Sequence, residues 1–177
     1  MDEFLDSVRV PKERVAVVIG EKGTTKKKLE KKMDVKLKID SEEGEVEIRS
    51  KESIKLLDAT NVIKAIARGF NPRVAIKIMK EENSFVIIDI SDIAGRSKKT
   101  LARIKGRIIG TAGKARIYIE QMTNTDIVVF GRTVSIIGEA AEVEIAKKAV
   151  NGLLKGSNHS TVYKILEEHK RKMKHKL

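Results

Sequence analysis

Residues 96–116 read Arg-Ser-Lys-Lys-Thr-Leu-Ala-Arg-Ile-Lys-Gly-Arg-Ile-Ile-Gly-Thr-Ala-Gly-Lys-Ala-Arg. Eight of them are Lys or Arg and none is Asp or Glu, and they surround a Gly110-Thr111-Ala112-Gly113 turn. A glycine-bounded turn between two short helices exposes backbone N–H groups at a helix N-terminus, which suits a phosphate oxygen. Cations on both sides add the charge that attracts a polyanion. The stretch predicts an RNA-binding loop, against which the rest of the chain can be tested.

The turn has a counterpart. Ile19-Gly20-Glu21-Lys22-Gly23 precedes Ile109-Gly110-Thr111-Ala112-Gly113 by ninety residues, and the same offset aligns Leu29-Glu30 with Ile119-Glu120, Leu37 with Ile127 and Ile39 with Val129. Two copies make a duplicated domain, not a solenoid. The 177 residues suffice for one ordinary domain or two small ones, and 41% hydrophobic content supports a core. A net charge of +12 points to nucleic acid or an anionic membrane. The charge is uneven: residues 1–70 hold 16 Lys/Arg against 14 Asp/Glu, and residues 71–177 hold 21 against 11, so the second half should dominate any encounter with an anion. No apolar run approaches transmembrane length, and the acidic Met1-Asp2-Glu3-Phe4 start is unlike a signal peptide. A cytoplasmic protein without a membrane partner is the expectation. With no cysteine, disulfides, thiolate catalysis and cysteine-ligated zinc are excluded.

Periodicity supplies the elements. In the first copy, Ser7–Val10 reads as a strand stopped by Pro11. Lys12–Val18 is ambiguous, because Val15, Val17 and Val18 favour a strand by propensity. Thr25, Leu29 and Met33 share a helical face opposite five lysines between Lys26 and Lys32. Val35, Leu37 and Ile39 alternate with lysines as a strand. Ser41–Gly44 turns the chain into a second strand through Val46 and Ile48. From Ser53 a helix runs toward Arg68. Asn71-Pro72 is a cap followed by proline, opening a short connecting helix. Phe85–Ile90 is a strand, and Phe85 and Phe130 are expected in the core. Lys98–Ile108 is a helix; Ala112, Ala115, Ile119 and Met122 share the face of the next. Ile127–Phe130 and Val134–Ile137 form a hairpin through Gly131-Arg132. Gly138 opens a long helix. After Gly156-Ser157-Asn158 a last helix starts near Thr161, with Val162, Ile165, Leu166 and Met173 on one stripe, and dissolves into a basic tail from Lys170 to Lys176. That tail reads equally as an RNA-contacting extension or as a plain end.

Each copy thus reads strand, helix, glycine loop, helix, strand, strand, helix. With Ile-Gly-x-x-Gly in place, the pattern resembles the type I KH domain, and the resemblance settles Lys12–Val18 as helix. The implied fold class is α+β: two βααββα domains, each a three-stranded antiparallel sheet packed on three helices, plus a C-terminal helix. The implied layout is a first KH domain at 1–70, a connecting segment at 71–83, a second KH domain at 84–156, and a C-terminal helix with basic tail at 157–177. In KH domains the GxxG loop grips the backbone of about four single-stranded nucleotides beside an aliphatic groove. An aromatic content of 3% without Trp argues against a stacking platform.

The run Gly106–Lys114, followed by Ile119-Glu120-x-x-Thr123-x-Thr125, resembles the second KH domain of the partner-of-Nob (Pno/Dim) family of small-subunit assembly factors. Gly69-Phe70-Asn71-Pro72, Gly156-Ser157 and Val162-Tyr163 match it too. The resemblance implies binding near the 3′ end of small-subunit rRNA, and as protein partners a pre-rRNA processing endonuclease and small-subunit assembly or translation proteins. The intact Gly20-Glu21-Lys22-Gly23 loop is as expected for an archaeal version. The candidate RNA-binding residues are Ile109, Gly110, Thr111, Ala112, Gly113 and Lys114 with Arg103, Lys105, Arg107, Arg116 and Arg132. In the first copy they are Gly20, Glu21, Lys22, Gly23 and Lys26. The second copy is the expected main binder, because the first carries an acidic hairpin tip (Glu42, Glu43, Glu45) and a glutamate in its loop, and carboxylates oppose a phosphate path.

Plainer readings stand beside these. A lone GxxG caps helices and permits turns, and the Lys26–Lys32 run is also the solvated face of a surface helix. Two other functional readings remain: a general mRNA or exosome-associated KH adaptor, and a scaffold whose KH folds bind proteins. Catalysis is not expected. A Walker A loop would need glycine where Ile108 stands and Ser or Thr where Ala115 stands. His159, His169 and His175 lack spaced metal-ligating partners, and the acids are too scattered for two-metal hydrolysis. No metal or cofactor is expected.

Overall fold

The computed structural model describes residues 3–175, in two compact units divided between Glu81 and Glu82. The first unit runs β1 (Phe4–Arg9), α1 (Lys12–Ile19), α2 (Thr24–Met33), β2 (Lys36–Asp40), β3 (Glu45–Ser50), α3 (Ser53–Ala67) and the short α4 (Pro72–Ala75), which continues as a 3-10 turn over Ile76–Met79. The second runs β4 (Asn83–Asp89), α5 (Ser91–Ala94), α6 (Lys98–Ile109), α7 (Lys114–Thr123), β5 (Asp126–Phe130), β6 (Thr133–Glu139), α8 (Ala140–Leu154) and α9 (His159–Lys174). Both sheets are antiparallel with the last strand in the middle, β1-β3-β2 and β4-β6-β5. Ile48 lies opposite both Asp6 and Leu37, and Ile136 opposite both Val86 and Ile127. This is the expected pair of βααββα folds with an added C-terminal helix.

Tertiary packing decides the ambiguous segment. Val15 and Val18, one helical turn apart, are buried, so α1 gains more from its apolar face than its valines lose in helix propensity. Pro11 ends β1, since it has no N–H for the ladder. In the second unit Ile104, Ile108, Ile119, Ile127, Ile136 and Val150 form one cluster beneath the helices.

Several boundaries differ from expectation for identifiable reasons. Gly138 does not open α8; it is buried in β6, where a Cβ would stand 2.9 Å from the Thr125 methyl. Ala112 is not on the α7 face but in the loop, at φ 54°. Phe85 and Phe130 are half-buried, not fully internal. Most of the segment expected to connect the domains, residues 71–81, belongs to the first unit, with Ala75 and Ile78 buried. The last helix starts earlier, at His159, and the basic tail is its continuation through Lys174; Lys176 lies outside the described residues. Of its apolar stripe, Val162 and Leu166 are buried, whereas Ile165 and Met173 are exposed. No helix among the described residues is long and apolar enough to cross a membrane.

Candidate nucleic-acid interface

The two glycine loops have the same backbone. Gly20, Lys22 and Gly23 adopt φ/ψ of 72/174°, 51/30° and 74/13°; Gly110, Ala112 and Gly113 adopt 74/171°, 54/29° and 75/8°. The first glycine of each loop sits in a region that only glycine occupies without strain. A Cβ at Gly110 would meet the Ala115 nitrogen at 2.7 Å, and one at Gly20 the Thr25 nitrogen at 2.8 Å. The loop therefore folds back onto the first residues of the following helix. Neither α2 nor α7 has a side-chain cap at its N-terminus; the Gly113 N–H donates to the Gly110 carbonyl at 3.1 Å and the Lys114 N–H to that of Thr111, and the positive end of the helix dipole lies beside the exposed Thr111, Ala112 and Lys114.

A glutamate shared by the repeats braces each loop's helix. The Glu30 carboxylate accepts from the Leu37 N–H at 2.9 Å, and that of Glu120 from the Ile127 N–H at 2.7 Å. This ties α2 to the edge strand β2 and α7 to the edge strand β5. In the second unit the Arg116 guanidinium also makes this link, donating to both Glu120 oxygens (3.0 and 2.9 Å) and to the Ile127 carbonyl at 3.3 Å. Lys26 occupies the corresponding place in the first unit.

The predicted cations separate into two groups. Arg107 is committed to the fold: its Nε donates to the Leu153 carbonyl (3.2 Å) and its Nη2 to that of Ser157 (2.6 Å), closing the C-terminus of α8. Arg132 donates to the Gly95 carbonyl at 2.7 Å, and Arg116 is paired as above. Arg103 and Lys114 are exposed next to the loop, with Lys105 half-buried on α6. In the first unit Glu21 and Lys22 are exposed, and the acidic tip is ordered by Asp40, which accepts from the Glu42 and Glu43 N–H groups.

Sequence reasoning missed Arg14. It donates to the Ile66 (2.9 Å) and Phe70 (2.8 Å) carbonyls, the task of Arg107 performed from a non-equivalent position. Burial pulls its guanidinium below the usual arginine range, partly opposed by Glu13. No repeat offset could have paired these arginines. Also unforeseen is a cleft of about 440 Å³ beside the second loop, lined by Arg103, Gly110, Thr111 and Lys114 on one wall and by His159 and Tyr163 on the other. The His159 Nε2 lies 2.7 Å from the Arg107 carbonyl oxygen, and the Tyr163 ring lies 4.2 Å from that of Tyr118. The Tyr118 hydroxyl donates to Glu167 at 2.8 Å; burial, then that carboxylate, pushes its pKa up.

Two sheets of this topology, with a GxxG loop between α1 and α2 in one unit and between α6 and α7 in the other, define a tandem type I KH protein, a class of binding proteins and not of enzymes. The family described as the eukaryotic-type KH domain (KH-domain type I) matches residues 84–171, and the KH domain family matches residues 6–65. Within that class the chain belongs to the Pno/Dim family. It is 43% identical over 177 residues to a KH domain-containing protein of Methanocaldococcus jannaschii, covering 98% of this chain and 77% of that one. It is 25% identical to the RNA-binding protein pno1 of Dictyostelium discoideum, over 92% of this chain and 70% of the relative. Among solved structures, a chain of the a/eIF2alpha-aDim2p-rRNA complex from Pyrococcus horikoshii superposes with a TM-score of 0.89, at 41% identity over 96% of both chains. Dim2p from the same organism gives 0.86 at 41% identity, over 93% of this chain and 99% of that one.

Proposed function

We propose that this protein binds single-stranded RNA chiefly through its second glycine loop, and that it acts in pre-rRNA processing by holding the 3′ region of small-subunit rRNA. The observation that carries the reading is the second loop itself. Its backbone repeats the first within a few degrees, but its flanks from Arg96 to Arg116 contain no carboxylate. The N–H groups of Thr111 and Ala112 and the side chains of Lys114, Arg103 and Lys105 supply the phosphate contacts. Arg107, Arg116 and Arg132 act mainly by holding the loop, α7 and the hairpin tip in place. Support for rRNA as the target comes from the relatives: the Schizosaccharomyces pombe one is a pre-rRNA-processing protein, and the matched Pyrococcus complex contains rRNA. An endonuclease acting on the held precursor, and assembly or translation proteins of the small subunit, are the protein partners of this reading, in the cytoplasm.

The test compares binding of the 3′-terminal segment of small-subunit rRNA with binding of a scrambled RNA of equal composition, across a salt series. A preference of about tenfold or more for the native segment that persists as salt rises supports the reading, because phosphate contacts alone carry no sequence information. Equal affinity for the two RNAs would leave a general RNA adaptor instead.

A further inference from the structure

The face of the helical hairpin covered by α9 in the second unit is open in the first. Tyr118 meets Tyr163 and Glu167 of α9, and the Gln121 carbonyl accepts from Lys170. Ninety residues earlier, Tyr118 is replaced by Lys28 and Met122 by Lys32. The segment that would cover them starts the same way. Asn71 and Asn158 each precede a helix, and Phe70 and Ser157 each accept from the bracing arginine. But α9 continues for 16 residues, whereas α4 has four and its 3-10 extension four more. About two helical turns of cover are missing.

What remains is a groove of about 510 Å³. Val17, Leu29, Pro72 and Ile76 give it an apolar lining, bordered by Lys28, Lys32 and Arg73 with no carboxylate among the described residues that line it. We infer that this groove receives a short amphipathic helix of a partner protein, with an apolar stripe edged by Asp and Glu. In the second unit α9 lies over the counterpart of the Lys28–Lys32 end of this groove, against Tyr118 and Gln121. Charge complementarity selects the partner. Glu167 of α9 accepts a hydrogen bond from a neutral tyrosine, whereas a carboxylate at that place in the first unit faces the Lys28 ammonium, and one a turn further on faces Lys32. The basic end of α9 itself would be repelled there. An apolar lining where the duplicate holds a helix favours protein over nucleic acid.

The inference is independent of which RNA the second loop binds. Its test uses the full chain and a synthetic peptide of residues 158–174 carrying Lys164→Glu, Lys170→Glu, Arg171→Glu and Lys174→Glu, which keeps the apolar stripe and reverses the charge. The expected result is saturable binding with amide chemical-shift changes confined to residues 17–32 and 72–76. The unaltered basic peptide should bind about tenfold more weakly, and Lys28→Glu/Lys32→Glu protein should lose about tenfold in affinity for the acidic peptide. Both lysines are exposed, so this variant should keep its unfolding transition and its RNA affinity through the second unit. Absent binding, equal affinity for the two peptides, undiminished binding by the variant, or a footprint elsewhere overturns the inference. So does displacement of the peptide by a single-stranded RNA octamer that shifts the same amides, which would assign the groove to nucleic acid.

Discussion

Arg14 in the first unit and Arg107 in the second close the end of the third KH helix through the same pair of carbonyls, eighty-seven residues apart, yet the arginines are not themselves equivalent. The glycine loops show the reverse relation, with equivalent residues and the same backbone but different charge around them. What the fold requires in both copies is a geometry: a tight loop, a braced edge strand and a closed helix end. Any residue able to reach satisfies it. Function asks for particular charges in particular places, and there the units part. Identical loop geometry therefore does not imply identical affinity for RNA.

The largest expected effect tests the shared geometry. Gly20→Ala and Gly110→Ala should each destabilise their own unit by about 3 kcal/mol, because both put a Cβ into a backbone nitrogen and hold alanine where only glycine is at ease. Hydrogen exchange, which reports the units separately, is the measurement. A large loss at one glycine alone would break the equivalence of the loops.

Charge is tested next. Thr111→Asp/Ala112→Asp should weaken binding of the 3′ rRNA segment by on the order of 30- to 100-fold, through repulsion at the phosphate path, and Glu21→Asp/Lys22→Asp by about threefold or less. Equal losses would show that both loops hold RNA. If neither variant weakens binding beyond what its net charge explains, the loops are ordinary turns and the protein is a scaffold.

Smaller effects sharpen the division between bracing and binding residues. Arg14→Ala and Arg107→Ala should each cost about 2 kcal/mol of unfolding free energy by leaving two carbonyls without a charged donor, and lysine should not rescue either, since it lacks the fork that spans both acceptors. A stable Arg107→Ala protein that has lost RNA binding would move Arg107 to the phosphate path. Glu30→Gln and Glu120→Gln should cost about 1 kcal/mol each, with the larger loss at Glu120, which also pairs Arg116. At the small end, Ala112→Gly should stabilise the second unit by about 0.5 kcal/mol, because Ala112 sits at φ 54°.

Much of this molecule was legible in one dimension. The duplication, the loops and the alternating strands are short-range patterns, and covalent geometry ties them directly to local structure. The Glu30/Glu120 correspondence was visible as an alignment, although its work of holding the edge strand was not. The sequence by itself determined two KH folds and the concentration of positive charge in the second half. Only the tertiary structure decided that Lys12–Ile19 is a helix on physical grounds, since its valines become helical by being buried. It also decided which cations are available: Arg107, Arg116 and Arg132 look alike in a list of basic residues but donate to carbonyls and a carboxylate brought near by folding. And it decided that one hairpin face is covered by α9 and the other is not. Hydrogen bonds and burial depend on partners distant in the chain, and no local pattern of residues records where those partners will be.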